Sequence, residues 1–196
     1  MSLGTGRAVL TISLTLALVG CSAGAGHTTD GATSDSDGAG VACPHPPDLT
    51  TAAPRCNSVV NAAQVLPFQA RTGTPPAPAG GAIADGIYVS TGAEGWGAAF
   101  AYGRRITIVV LGGATQMLWN GEVLDPNGAT VTLSFAVNAR TVASDNQIQF
   151  TVDCSSASPS PVPPVLTYTA IGDQLALSLT TAGGTSVTTY TRTGCP

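Results

Sequence analysis

Between residues 86 and 192 apolar and polar residues alternate with a period of two, and no other feature of the chain restricts its fold so tightly. Val131, Leu133, Phe135 and Val137 fall on one face, with Thr130, Thr132 and Ser134 on the other. Ile148, Phe150 and Val152 repeat the pattern, and so do Leu175, Leu177 and Leu179. A period of two with one apolar face is the mark of antiparallel sheet, packed on one side and wet on the other. No segment carries a convincing 3.6-residue period, so the fold class is all-β. Turn chemistry falls between the runs, at Gly112-Gly113, Pro126-Asn127-Gly128, Asp145-Asn146, Gly172-Asp173 and Gly183-Gly184. These breaks define eight predicted strands, at residues 86–91, 104–111, 115–120, 129–138, 147–153, 164–171, 174–181 and 185–192.

An even number of strands joined by hairpins brings the last beside the first in antiparallel sense. The expectation is therefore an up-and-down meander closing into a small barrel, which removes both sheet edges; a twisted sandwich is the alternative. In a meander the connections alternate between ends. One end receives residues 92–103, 121–128, 154–163 and 182–184; the other receives 112–114, 139–146 and 172–173. Longer loops on one side and mostly tight turns on the other predict an open mouth and a closed base.

Upstream of the barrel, residues 1–20 follow a signal-peptide plan: a short lead with the single cation Arg7, then an apolar run over 8–19 that is too short to span a membrane as a helix. The run ends in Leu18-Val19-Gly20-Cys21, which resembles the lipobox of bacterial lipoproteins. That resemblance implies cleavage before Cys21 and a diacylglyceryl group on its thiol, making the membrane a partner through lipid. Ser22, in place of an aspartate after the cysteine, implies the outer membrane of the cell envelope. Residues 21–42 then read as lipidated cysteine and tether, since Gly, Ala, Ser, Thr and Asp offer almost nothing to bury. A flexible chain of that length reaches roughly 25 Å. Residues 43–85 are punctuated by Pro44, Pro46, Pro47, Pro54 and Pro67 and by the run Thr74-Pro75-Pro76-Ala77-Pro78. Such spacing forbids helix and starves a sheet of donors, so this segment is expected to be an extended strap over the barrel domain, residues 86–196. An exposed polyproline ligand is its alternative reading.

Five cysteines become an even set once Cys21 is assigned to lipid. Cys43, Cys56, Cys154 and Cys195 then imply two disulfides with three possible connectivities in an oxidising compartment. Cys154 closes a strand at the mouth, whereas Cys195 follows a strand that ends at the base. Strand ends roughly 20 Å apart are too distant for a bond that needs Cα atoms within about 7 Å. Pairing each barrel cysteine with Cys43 or Cys56 is thus favoured over joining neighbours. A metal site is not expected, because Cys43 and His45 find no CxxC or second histidine to complete a tetrahedral set. Nucleic acid is not expected either: the chain has seven Lys+Arg, all arginine, against eleven Asp+Glu, and binding phosphates requires a concentrated basic surface. Arg104-Arg105 is the one adjacent basic pair.

A search for catalytic chemistry returns little, and no cofactor is implied. His27 and His45 both precede the barrel, and no nucleophile, base and orienting group stand together in the sequence. A carboxylate pair could assemble from Glu94 and Glu122 at the mouth, though acids in loops are usually just solvated, so an enzyme is not expected. Trp96, Phe100 and Tyr102 are the candidate ligand-binding residues, as large aromatics set among Gly and Ala that could close over a small apolar molecule. The same rings could equally plug the mouth with no ligand, leaving a structural lipoprotein that meets an envelope protein partner. Trp119 and Met117 share a strand face and read as core.

The barrel segment resembles the lipocalin-like, or calycin, barrels over residues 86–192. Gly86-Ile87-Tyr88 stands where those proteins carry Gly-x-Trp, with tyrosine for tryptophan. Arg192, in Tyr190-Thr191-Arg192, stands where an arginine of the last strand packs across that aromatic ring. The resemblance implies a ligand-holding barrel with a lid formed by the first long loop; a second lipocalin motif and a C-terminal helix are missing. The run from Gly80-Gly81 to Tyr88 is also similar to that of myxobacterial-type lipoproteins, a resemblance that implies no activity.

Overall fold

The computed structural model describes residues 55–97 and 102–195, and within them the chain is all-β. The proposed signal segment, Cys21, the tether, His27, His45 and Cys43 lie outside the described residues, as does Phe100. The described residues form nine strands: β1 (Gln69–Arg71), β2 (Gly86–Gly97), β3 (Gly103–Leu111), β4 (Gln116–Leu124), β5 (Val131–Ser144), β6 (Gln147–Ser155), β7 (Val165–Ile171), β8 (Gln174–Thr181) and β9 (Gly184–Gly194). Each of β2 to β8 pairs antiparallel with the next, and β9 also pairs with β2, so eight strands close into a barrel.

The eight expected strands are all found, and β8 has the expected limits, but several strands run longer than the alternation indicates. β2 continues through a bulge after Ser90 to Gly97, and β5 continues to Ser144. The connection expected at 139–146 is therefore mostly strand, closed by the turn at Asp145-Asn146. Glu94 and Glu122 stand on β2 and β4, not in mouth loops.

A second difference lies in the strap, which contributes β1 despite its prolines. At the base end β2 is paired with β3 from Gly86↔Val110 to Val89↔Thr107; beyond that point the two strands part. Residues of the strap occupy the gap. Gln69–Arg71 pair in parallel with Glu94, Gly95 and Trp96, while Leu66 and Arg104 exchange two backbone hydrogen bonds of 2.9 Å. A freed strand edge carries unsatisfied donors and acceptors, and the strap satisfies them on both sides. The Phe68 ring lies over Gly95 so closely that a Cβ there would be 2.4 Å from a ring carbon. A side chain at position 95 would expel the strap.

Before entering the gap, the strap crosses the outside of β3, β4 and β5. The Asn57 amide donates to the carbonyl oxygens of Trp119 and Val137 and to Asn138 Oδ1, each at 3.1 Å, and Asn138 Nδ2 donates back to the carbonyl of Cys56. Val59 packs on the outward-facing Val109 and Leu118, burying a wall that would otherwise meet water. Cys56 is bonded to Cys154 with Cα atoms 5.5 Å apart, so a strap cysteine joins a barrel cysteine and the nearest-neighbour scheme is excluded. Cys195 is disulfide-bonded as well.

At the base the strap returns beneath the barrel. Ile83 is buried in the main core, the Tyr88 hydroxyl donates to Ala84 O at 2.8 Å, and the Tyr168 hydroxyl donates to Gly81 O at 3.0 Å. Asp85 accepts the backbone N–H groups of Gly112 and Gly113 at the β3–β4 turn. Gly80, in the left-handed region at φ 70°, passes so close that a Cβ would be 2.0 Å from Asp145 O. Above this floor Tyr88, Ile108, Val110, Met117, Ile148 and Leu175 fill the lower interior.

Candidate functional site

Towards the mouth the interior is not filled. A cavity of about 200 Å³ remains between Ile106, Trp119, Val123 and Phe135 on one side and Leu166, Leu177 and Leu179 on the other, with Pro161, Val162 and Pro163 at its rim. Its position follows from the ladders. β6 and β7 pair only from Gln147↔Thr167 to Gln149↔Val165, and above that the proline-rich segment before β7 stands in their place, anchored by Phe150 N–H to Pro164 O at 2.8 Å. The barrel thus opens at two seams near the mouth, and its walls stand wider there.

One wall is polar. β9 directs Ser186, Thr188 and Tyr190 inward, and β3 directs Arg104 towards them. Successive residues of a strand point to opposite faces, so the pair Arg104-Arg105 is divided. Arg105 stands outside in a bidentate ion pair with Glu122 at 2.7 and 2.9 Å, whereas the Arg104 side chain points into the barrel. Among the described residues Thr188 is its sole side-chain partner, accepting at Oγ1 from Arg104 Nη1, and no carboxylate of those residues lines the cavity. Burial lowers the Arg104 pKa from its ordinary value, against a small opposing effect of Tyr190. Burial likewise pushes the Tyr190 hydroxyl well above the ordinary tyrosine range, outweighing Arg104 and a hydrogen bond with Thr188. Trp119 packs edge-on against Phe150 and Tyr190, with ring centroids 5.9 and 6.4 Å away. Its buried indole Nε1–H has no acceptor among the described residues.

Of the three aromatics singled out in the sequence, Phe100 lies outside the described residues and the other two differ in place. Tyr102 lines the cavity and is about half exposed at its rim. Trp96 stands opposite Thr185, one residue beyond the inward-facing Gly95, and does not line the cavity. Trp119, read as core, is both buried in the core and part of the cavity wall. Arg104 was legible only as half of a basic pair; the missed signal is that it is in phase with Ile106, Ile108 and Val110, which places it on the inner face. Glu94 and Glu122 do not meet as a pair of free acids, since Glu94 is bonded to Arg71 and Glu122 to Arg105. The Glu122 carboxyl is held below the usual glutamate range, chiefly by its hydrogen bond from Arg105.

Tyr88 and Arg192 are register partners on β2 and β9, and the Arg192 chain crosses Gly86 so closely that a Cβ would be 2.6 Å from its Cδ. The Arg192 guanidinium then reaches Asp173 and the carbonyl of Asp85, bracing the base. No protein-family model matches the chain, and no curated protein or solved structure matches it either.

Proposed function

We propose that this chain is a tethered binding module of the cell envelope, a lipocalin-like barrel that holds a small, largely apolar molecule in its mouth and is anchored through lipid on Cys21. The observation that carries the reading is the unfilled volume above a close-packed base. Protein interiors are normally packed to crystal density, and a domain gains nothing by leaving a lined space of about 200 Å³ in its barrel. Concave, mainly apolar sites with a few convergent polar groups are where small molecules bind, and this one has apolar walls and one polar side. The Gly86, Tyr88 and Arg192 arrangement supports the lipocalin-like reading, and Leu18-Val19-Gly20-Cys21 supports the anchor, with Ser22 favouring the outer membrane.

A filled barrel serving only as a scaffold for an envelope partner is the second reading, favoured by the solid base and by exposed apolar side chains such as Val131, Leu133 and Val142 on β5. Native mass spectrometry of protein purified from its own envelope separates the two. A bound small molecule is the expected result; an empty spectrum under conditions that keep the barrel folded overturns the binding reading. The anchor is tested separately: labelled palmitate should enter the protein, and Cys21→Ala should release it from the membrane. Retention of the Cys21→Ala protein would defeat that part.

A further inference from the structure

The cavity has an imbalance of hydrogen-bonding groups that its apolar walls do not explain. Arg104 presents five N–H donors, of which the described residues engage one side-chain acceptor, Thr188. Trp119 adds an indole N–H with no acceptor among the described residues. Against these donors the described lining residues offer hydroxyl oxygens and no carboxylate. A partly buried cation without an anionic partner gives up hydration for little return, and a buried donor left unmade costs the desolvation of that group. We infer that the ligand is a small organic monoanion, a carboxylate borne on a short aliphatic or single-ring body, whose head accepts from Arg104 and whose body lies against Ile106, Val123 and Leu179.

This inference rests on the binding reading above and narrows it by charge and size. An engineered apolar cavity of about 150 Å³ takes benzene, so about 200 Å³ suits six carbons with a carboxylate and excludes long-chain acids folded wholly inside. Charge selects as well. Arg104 is placed to make charge-assisted hydrogen bonds to a carboxylate, which are roughly twice as strong as neutral ones, and a cationic ligand would meet like charge there. The acidic balance of the chain as a whole, net −4, would repel anions from most of its surface, so this inward arginine is the local exception.

The test is calorimetric titration of the full chain with hexanoate and with hexanamide, which keeps the shape and loses the charge. Hexanoate should bind at least about tenfold more tightly, and in Arg104→Met the ratio should fall to near one. Arg104→Lys keeps the charge without the planar fork and should retain part of the preference. If hexanoate and hexanamide bind equally, or the preference survives Arg104→Met, the anion inference is overturned while the apolar-site reading stands. If neither binds, the binding reading itself falls. Should Arg104→Met fail to fold, the ratio measured on the unaltered chain decides the matter alone.

Discussion

The two ends of this barrel are built from the same strands and the same alternation, yet one is solid and the other hollow. At the base the β2–β3 and β6–β7 ladders are paired, the turns are tight, and Ile83 and the fully buried Tyr88, Ile108 and Leu175 leave no room. At the mouth those two ladders part, and each gap is filled by non-barrel chain: the strap with β1 in one, the segment containing Pro161, Val162 and Pro163 in the other. Inserting chain between strands widens the wall without lengthening the strands. The difference teaches that the cavity is a consequence of where pairing stops, not of small side chains alone.

If the strap holds the mouth, its covalent anchor there should matter most. Cys56 and Cys154 are 98 residues apart, and loop-closure entropy for a loop of that length is worth about 4.7 kcal/mol. The double variant Cys56→Ser, Cys154→Ser should lose up to that amount in denaturant unfolding. Hydrogen exchange should rise first along the strap and β1, with the base still protected. Uniform loss of protection at both ends would break the distinction between them.

Paired truncations sharpen it next. Leu175 and Leu177 alternate inward along β8 with Leu179, but Leu175 is fully buried at the base whereas Leu179 is partly buried against the cavity. Leu175→Ala should cost about 3 kcal/mol, within the range for buried leucine. Leu179→Ala should cost about 1 kcal/mol, because its side chain already faces open space. Equal losses would mean that the mouth is as tightly packed as the base.

The contrast also sets what could be read in advance. Where inward residues are large, as in Leu175, Leu177 and Leu179, the period of two gave the strand and its limits. Where they are small it failed: the second half of β2 is built on Gly92, Ala93, Gly95 and Gly97, and Gly95 must be small because Phe68 lies over it. The extension of β5 through Ala139, Thr141 and Ala143 was lost in the same way. β1 was hidden for another reason, since three exposed residues carry no hydrophobic pattern and their pairing depends wholly on the edge that β2 offers. Of the site, the open end and Tyr102 were legible; Arg104 and the β9 hydroxyls were not, because a polar residue on an inward face breaks the very pattern used to find that face.

One substitution made at both ends gives opposite signs. Val110 is fully buried at the base, and Val123 lines the cavity opposite Arg104 in register. Val110→Leu should overpack and cost about 1 to 3 kcal/mol. Val123→Leu should fill space and change stability by about +0.5 to +1 kcal/mol, while weakening any ligand held there. Unfolding midpoints of the two proteins decide this directly, and a destabilised Val123→Leu would show that the cavity wall cannot yield.

The smallest effect is expected on the outer side of the mouth, where the neighbour of Arg104 does conventional surface chemistry. Arg105 holds Glu122 in a bidentate pair, and the glutamate pKa is depressed in the folded state. A depressed acid contributes stability above its unfolded pKa, about 4.3, and loses it as the pH falls through the lower folded value. Both side chains retain solvent exposure, so the pair should be worth about 0.5 kcal/mol and less in salt. Glu122→Gln should therefore leave stability at pH 7 lower by about that amount and flatten the decline below pH 4, with little change in ligand preference. Arg104→Met should do the reverse, altering the preference for an anion and leaving the acid limb in place. If Glu122→Gln instead shifted the anion preference as strongly as Arg104→Met, the division of Arg104 and Arg105 between the two faces of β3 would not be a division of labour.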